Sequence, residues 1–252
     1  VPLLSDHAIV LRLSDFSETS QVATLFARAG GKLRVLAKGA RRGTKVRFAT
    51  GLDLLEWGEI LYLPAKPDAG LGTLTEWKQR DAFLDVRRSP RGVYAAIYAA
   101  ERCDQLTAES DPHPALFDRL LGLLQALTEI GDAAQAEIAA ALVRFLWALL
   151  EEAGFRPDLH ACASCGRQRA PGRSAYFSPR AGGLLCRACA PRFSDHRLLP
   201  AAAVDRPEDP TTAEVWISAL DDYLTAVAER PAASAGAMRA ALGQPKRVTS
   251  DE

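Results

Sequence analysis

Two thiol pairs carry the clearest chemistry in this chain: Cys162-Ala163-Ser164-Cys165, answered after a spacer of twenty residues by Cys186-Arg187-Ala188-Cys189. Each pair places two sulfurs on one tight turn, and two such turns face to face supply the four soft ligands of a tetrahedral Zn²⁺ site, metal ligands Cys162, Cys165, Cys186 and Cys189. Four thiolates leave no coordination position open to water, so one structural zinc per chain would hold a knuckle together without doing chemistry. Gly166 directly follows the first pair and Gly182-Gly183 supplies the return turn within the spacer. A redox dithiol needs only one pair and usually a thioredoxin-like βαβ context, which is absent; two unrelated disulfides would need an oxidising compartment. His160 and His196 flank the pairs and can replace a cysteine, although a surface loop is the commoner place for such histidines. The fifth cysteine, Cys103, shares a helical face with Ala99 and Leu106 and reads as a buried small hydrophobe.

A second constellation is cationic. Residues 32–47 hold Lys32, Arg34, Lys38, Arg41, Arg42, Lys45 and Arg47 with no acid among them, punctuated by Gly39 and Gly43 and followed by Phe48. Such a run can track a phosphate backbone by releasing counterions, and a neighbouring aromatic can stack on an unpaired base. A solvated loop is the ordinary fate of a basic run, and Phe48 reads more readily as core than as a platform. The chain as a whole is formally neutral, with 31 basic and 31 acidic residues, but the charges are segregated. Residues 101–155 carry ten acids against three bases, and residues 156–197 carry eight arginines against Asp158 and Asp195. Basic ends are joined by an acidic middle.

The elements that must position these groups follow from periodicity. Short alternating or branched segments at 7–13, 21–27, 32–37, 52–63 and 70–77 read as five strands, and Ala29-Gly30-Gly31 as the hairpin between the second and third, its adjacent glycines accepting the positive φ of a primed turn. Alternation in the third strand puts Leu33, Val35 and Ala37 on one face and Lys32, Arg34, Leu36 and Lys38 on the other. Five short strands in about eighty residues fit an OB-type barrel better than a sandwich. From Ser89-Pro90, an N-cap with proline at the first helical position, the texture becomes helical. Leu116, Leu120, Leu123, Leu124 and Leu127 form one apolar stripe, and Ile138, Leu142, Phe145, Leu146 and Leu149 another that ends at Gly154. Asp132 with Gln135, and Thr211 with Glu214, resemble capping boxes, the latter opening a helix with Trp216, Leu220, Leu224 and Val227 inward. The expected architecture is α+β: a five-stranded OB-type β-barrel (1–80, nucleic-acid-binding), a helical domain (81–157), an inserted four-cysteine zinc module (158–200), a C-terminal helix packing back on the helices (201–230) and a weakly ordered tail (231–252).

Composition excludes several classes. An apolar fraction of 48% is ordinary for a globular protein. No apolar run approaches a membrane span, and the first twenty residues lack the basic start and apolar centre of a signal peptide, so a cytoplasmic location is expected. Gly31-Lys32 precedes Leu33 where a phosphate-binding loop needs Ser or Thr, no GxGxxG or GxSxG occurs, and the four histidines are scattered. A zinc deaminase would need an HxE pattern, which is missing. No catalytic residue is assigned and a binding protein is favoured over an enzyme.

Residues 8–20 (AIVLRLSDFSETS), Gly31-Lys32-Leu33 with residues 37–42 (AKGARR), residues 70–76, residues 98–101 before Leu106-Thr107, and residues 150–155 before the two cysteine pairs resemble, in this order and spacing, the RecO family of bacterial recombination mediators. The resemblance covers residues 8–190 and becomes loose over the last sixty. It implies an N-terminal OB fold, a central helical domain and a zinc module. It also implies binding to single- and double-stranded DNA, annealing of complementary strands, and work in the RecFOR pathway with RecR to load RecA onto DNA coated by single-stranded DNA-binding protein (SSB), whose acidic C-terminal tail would dock on the helical domain. That activity would place the protein at the nucleoid. By the same resemblance Lys32, Lys38, Arg41 and Arg42 belong to the DNA site, whereas Arg34, Lys45 and Arg47 are included on charge alone. Some family members lack the cysteines, which implies that zinc serves the stability of the module more than the activity. A competing expectation is a zinc-stabilised protein-interaction adaptor without intrinsic DNA affinity.

Overall fold

Alternating apolar residues become the wall of a closed barrel in the computed structural model, which describes residues 2–40, 48, 51–65 and 70–244. Strands β1 (Leu4–Asp15), β2 (Gln21–Ala27), β3 (Gly31–Ala37), β4 (Trp57–Leu63) and β5 (Gly72–Asp81) are hydrogen-bonded in the order β1-β2-β3-β5-β4, and β4 returns to pair with β1. All neighbours are antiparallel except β3 and β5, which run parallel at Val35↔Gly72 and Ala37↔Leu74. This is the OB-type closure, with β3 and β5 joined only over residues 35–37 and 72–74. Inward positions from every strand form one core, including Ala8, Val10, Leu25, Leu33, Val35, Ile60, Leu74 and Trp77.

The strands differ from expectation where backbone geometry intervenes. β4 begins at Trp57 and not at residue 52, because Leu55 adopts φ 68° and turns the chain. Nor is the β2–β3 hairpin a two-residue primed turn. Ala27 pairs with Gly31 across a three-residue loop, and of the two glycines only Gly31 has positive φ, at 69°. The Asp6 carboxylate fastens this loop by accepting from the backbone N–H of Ala29 (3.0 Å) and Gly30 (2.8 Å).

The chain divides into two compact units, residues 1–88 with 99–129, and residues 89–98 with 130–252. In the first, the barrel is joined by the short helix α1 (Leu84–Arg88), by the later part of α2 (Pro90–Leu106) and by α3 (Pro114–Ile130). Phe26, facing away from the barrel core, meets Phe117 of α3 at 6.1 Å between ring centroids, and Arg28 makes two hydrogen bonds to Asp118 at 2.9 and 2.8 Å. The backbone of Ser110 donates to the Lys32 carbonyl at 2.9 Å. Cys103 is fully buried, and burial pushes its thiol well above the ordinary range.

The second unit is built around α4 (Gln135–Glu152) and α6 (Ala213–Val227). Trp147 and Trp216 meet edge to face at 4.9 Å. Phe177 of β6 (Ala175–Ser178) then packs on Trp216 at 5.5 Å and on Tyr223 at 5.7 Å. The cysteine module therefore does not simply hang from the end of α4; its sheet, β7 (Gly183–Leu185), β6 and β8 (Arg197–Leu199) in that order, is seated on the helices by an aromatic side chain. Short helix α5 (Ala201–Asp205) follows, and the Trp216 indole donates to its Ala203 carbonyl at 2.9 Å.

Neither capping box forms. Asp132 serves a different helix: its carboxylate accepts from the Ser89 hydroxyl at 2.8 Å and the Arg91 backbone N–H at 3.0 Å, at the start of α2, while α4 opens behind Ala134 with no side-chain cap. Those hydrogen bonds, the Arg91 backbone first, hold the Asp132 carboxyl below the usual carboxylate range. Thr211 likewise donates its N–H to Asp209, at the head of a 3₁₀ turn before α6. Ser89 does cap α2, accepting from Gly92 N–H at 2.9 Å, and Gly154 at φ 76° ends α4. The expected weak tail is corrected in part: α7 (Ala235–Ala241) buries Met238 and Arg239, and Arg239 is clamped by Asp221 at 2.7 Å and Asp222 at 2.9 Å. Asp221 also accepts from the Tyr98 hydroxyl at 2.8 Å. Among the described residues, no helix is long and apolar enough to cross a membrane.

Gly31→Ala is expected to destabilise the first unit by at least about 2 kcal/mol, since it combines left-handed backbone with a severe clash. A Cβ there would stand 2.2 Å from the Asp111 carbonyl oxygen. Urea unfolding monitored by tryptophan fluorescence measures it, and an unchanged midpoint would refute the tight approach. A second expectation concerns Glu56, whose burial raises its pKa from 4.5 to about 6 against the Asp53 backbone hydrogen bond. The native state then binds more protons than the unfolded chain between those values, so this group's contribution falls as pH rises through that window. Relative to Glu56→Gln, the native protein should lose up to roughly 2 kcal/mol between pH 4 and 7; parallel pH profiles for the two proteins would remove the effect.

Candidate metal centre and nucleic-acid interface

The four sulfurs are brought together by backbone hydrogen bonds that make each Cys-x-x-Cys pair a tight turn. Gly166 N–H donates to the Cys162 carbonyl at 2.8 Å, with Gly166 at φ 71°, and Cys189 N–H donates to the Cys186 carbonyl at 3.0 Å. Ala163 N–H bonds the Leu184 carbonyl at 2.7 Å, docking the first turn on β7, and the β6–β7 hairpin reverses at Gly182, φ 72°. As a result the Sγ atoms of Cys162, Cys165, Cys186 and Cys189 all lie within 4.8 Å of one another, and the Cys165–Cys186 pair is 3.8 Å apart. Sulfurs about 2.3 Å from a common tetrahedral centre would be separated by roughly 3.8 Å, so the donor set fits a metal ion.

Electrostatics in the cluster agree. Burial opposes ionisation of Cys162, but N–H groups of Cys186, Cys165 and Ser164 directed at its sulfur outweigh it and bring the pKa down to about 6. The Cys186 N–H approaches that sulfur at 3.3 Å. Cys186 is also lowered, chiefly by the backbone of Cys189. Cys189 is favoured by Ser164 but pushed up to about 11 by the neighbouring sulfurs and burial. Four sulfurs this close cannot all ionise without a cation between them, and a bound cation supplies that compensation. The flanking histidines stand outside the cluster. His196 Nδ1 contacts the Phe193 carbonyl and its ring meets Tyr176 edge-on at 5.2 Å, while His160 lies in an exposed turn closed by its N–H to Asp158.

The cationic residues are not equivalent. β3 alternates as its pattern requires, with Leu33, Val35 and Ala37 buried. Lys32, however, turns its ammonium to the Asp104 carbonyl at 2.6 Å and the Asp104 carboxylate at 3.4 Å, leaving its side chain 12% exposed. Arg34 is half exposed, with Glu109 at 3.8 Å. Lys38 is exposed, and among the described residues it has no ion-pair partner. Arg41, Arg42, Lys45 and Arg47 lie outside the described residues. Phe48 is buried in the barrel core at 2% exposure. Asp104 and Glu109 had no signal in the sequence as partners of β3, because each lies some seventy residues further on in a pattern that reads as a helix surface and its exit.

A closed five-stranded barrel of this order, carried in one chain with a four-cysteine module that fits a metal ion, defines an OB-barrel class with an added four-cysteine knuckle. Comparison with known proteins narrows the class. The model for the N-terminal part of recombination protein O matches residues 3–83, and that for its C-terminal part matches residues 87–207. The chain belongs to the RecO family. Proteins called DNA repair protein RecO are similar to it: that of Rhodopirellula baltica is 38% identical over 188 residues, covering 74% of this chain and 67% of the relative. That of Desulfitobacterium hafniense is 35% identical over 182 residues, covering 72% and 63%, and that of Shouchella clausii 36% over 200 residues, covering 79% and 72%. The chain thus matches about two thirds of the length of these relatives.

The purified protein should contain one metal ion per chain by elemental analysis, and Cys162→Ser/Cys189→Ser should contain none. Cobalt substitution should give the intense visible bands of tetrahedral thiolate coordination. Metal-free protein with unaltered thermal stability would refute a metal centre.

Proposed function

We propose that this protein is a DNA repair factor of the recombination-mediator type: it binds single- and double-stranded DNA, anneals complementary strands, and acts with RecR to load RecA onto SSB-coated DNA. The observation that carries this reading is the closed OB-type barrel whose third strand runs directly, at exposed Lys38, into the most cationic stretch of the sequence. Membership of the RecO family supports it. Lys38, Arg41, Arg42, Lys45 and Arg47 make the phosphate contacts, Arg34 contributes at the edge of the same strand, and Lys32 fixes β3 from the side facing Asp104. Contacts of this kind hold two strands without reading sequence, which suits annealing. RecR and the acidic SSB tail are the protein partners of this reading, and the setting is the cytoplasmic nucleoid. Four cysteine donors favour Zn²⁺, which closes the module and takes no part in strand exchange.

The engagement of Lys32 by Asp104 and of half-exposed Arg34 by Glu109 favours a second reading, an adaptor that binds proteins and has negligible DNA affinity at moderate salt. Annealing of labelled complementary oligonucleotides precoated with SSB separates the two. Acceleration that weakens with salt is expected, and about five phosphate contacts give a log–log affinity slope near −3.5 on single strands. Arg41→Ala/Arg42→Ala should flatten that slope by about 1.4. No acceleration by folded, metal-loaded protein would favour the adaptor.

A further inference from the structure

We infer that the outer face of the cysteine module is a second binding site for single-stranded nucleic acid, separate from the barrel strand and resting on the reading that this protein binds DNA. The three-stranded sheet has two unlike faces. Phe177 points to the core, against Trp216 and Tyr223. Its neighbour Tyr176 points the other way, and the register places Leu185 and Leu198 directly beside it in one apolar row; Leu185 is buried against the cysteine turns, so half-buried Tyr176 and exposed Leu198 are the accessible part of that row. This row floors a cavity of about 460 Å³, within the range of sites that hold ligands. Tyr176 is braced edge-on by His196 at 5.2 Å, and Leu198 is 59% exposed, a large apolar side chain with no cover.

Four arginines line the same cavity: Arg167, Arg169, Arg173 and Arg187. Their roles separate cleanly. Arg169 is structural, engaged by Asp205 and by the Arg173 carbonyl at 2.8 Å. Just before the module Arg156 is held by Glu151 and Glu208, and within it Arg197 by Asp222. The exposed side chains of Arg167, Arg173 and Arg187 have no hydrogen-bond or ion-pair partner among the described residues. Arg187 sits inside the second cysteine turn and Arg167 just after the first, so the turns that gather the sulfurs also set the backbone positions of two of the three arginines.

Unpaired planar cations around an apolar floor fit a polymer that alternates an anion with a flat apolar group at every repeat. Guanidinium forks bind phosphate, and bases stack on the Tyr176–Leu198 row. Bases are available for stacking only when unpaired, which selects single strands over duplex. An acidic peptide would satisfy the arginines but has no periodic flat group for the floor.

The test uses the full chain and fluorescein-labelled oligothymidylate, with affinity followed by anisotropy from 50 to 200 mM salt. Three lost phosphate contacts make the slope of Arg167→Ala/Arg173→Ala/Arg187→Ala shallower by about 2, so the intact protein should lose about 20-fold more affinity than the variant over that range. Arg180→Ala/Arg192→Ala, exposed arginines of the module that do not line the cavity, should leave the slope within experimental error. Oligonucleotides carrying 5-iodouracil should crosslink to Tyr176. Retained metal content and melting temperature establish that the variants are folded. An unchanged slope in the triple variant with DNA binding intact overturns the second site and leaves the barrel reading standing. Equal losses in both variants overturn it in favour of diffuse charge, and a glutamate-rich peptide whose binding alone depends on the three arginines overturns it in favour of a protein partner. Failure of the intact protein to bind DNA overturns both readings together.

Discussion

Closure of the first sheet is the constraint from which the N-terminal unit follows. Once β4 pairs back with β1 and β3 pairs with β5, every strand has one face in a shared interior, and a one-residue slip would exchange inside for outside. Among the described residues the interior is filled largely by Ala, Val and Leu with Trp77 and Tyr62. The alternation that buries Leu33, Val35 and Ala37 is therefore the same physical fact that sends the cations of β3 outward.

Ion pairing then decides which cations remain for a ligand. The chain has equal numbers of acidic and basic residues, yet its acids are spent unevenly. Asp104 and Glu109 take Lys32 and Arg34; Asp205, Asp222 and the Glu151–Glu208 pair take Arg169, Arg197 and Arg156. Desolvated pairs such as Arg239 with Asp221 and Asp222 are costly to break singly, because the surviving charge stays buried. They lock geometry. Exposed cations with no carboxylate near them hold nothing in place, and a polyanion can engage them without disrupting the fold.

The cysteine module shows how a four-sulfur cluster that fits a metal ion and a helical unit reinforce one another. Its sheet is too small for a core of its own, with only Cys162, Leu185, Cys189 and Ala190 in its buried cluster. Two anchors compensate: four sulfurs that a metal can join on one side, and Phe177 inserted between Trp216 and Tyr223 on the other. Seated this way, the module presents its opposite face at a fixed orientation to α6, on the same rigid support that holds Trp147.

Features with a local signal were legible along the chain. Period-two alternation marked the five strands, Cys-x-x-Cys spacing marked the four-sulfur cluster, Ser89-Pro90 and Gly154 marked the limits of helices, and Phe48 fell in the core as its pattern required. The tertiary structure alone decided the pairings between residues far apart in the chain. Asp132 caps a helix that begins more than forty residues before it, Lys32 finds Asp104, and Arg239 pins the short C-terminal helix to α6 by reaching Asp221. A carboxylate at Asp132 satisfies a nearby capping rule and a distant one equally well on paper. Which is realised depends on where folding brings the unsatisfied N–H groups and guanidinium charges, and no spacing rule encodes that.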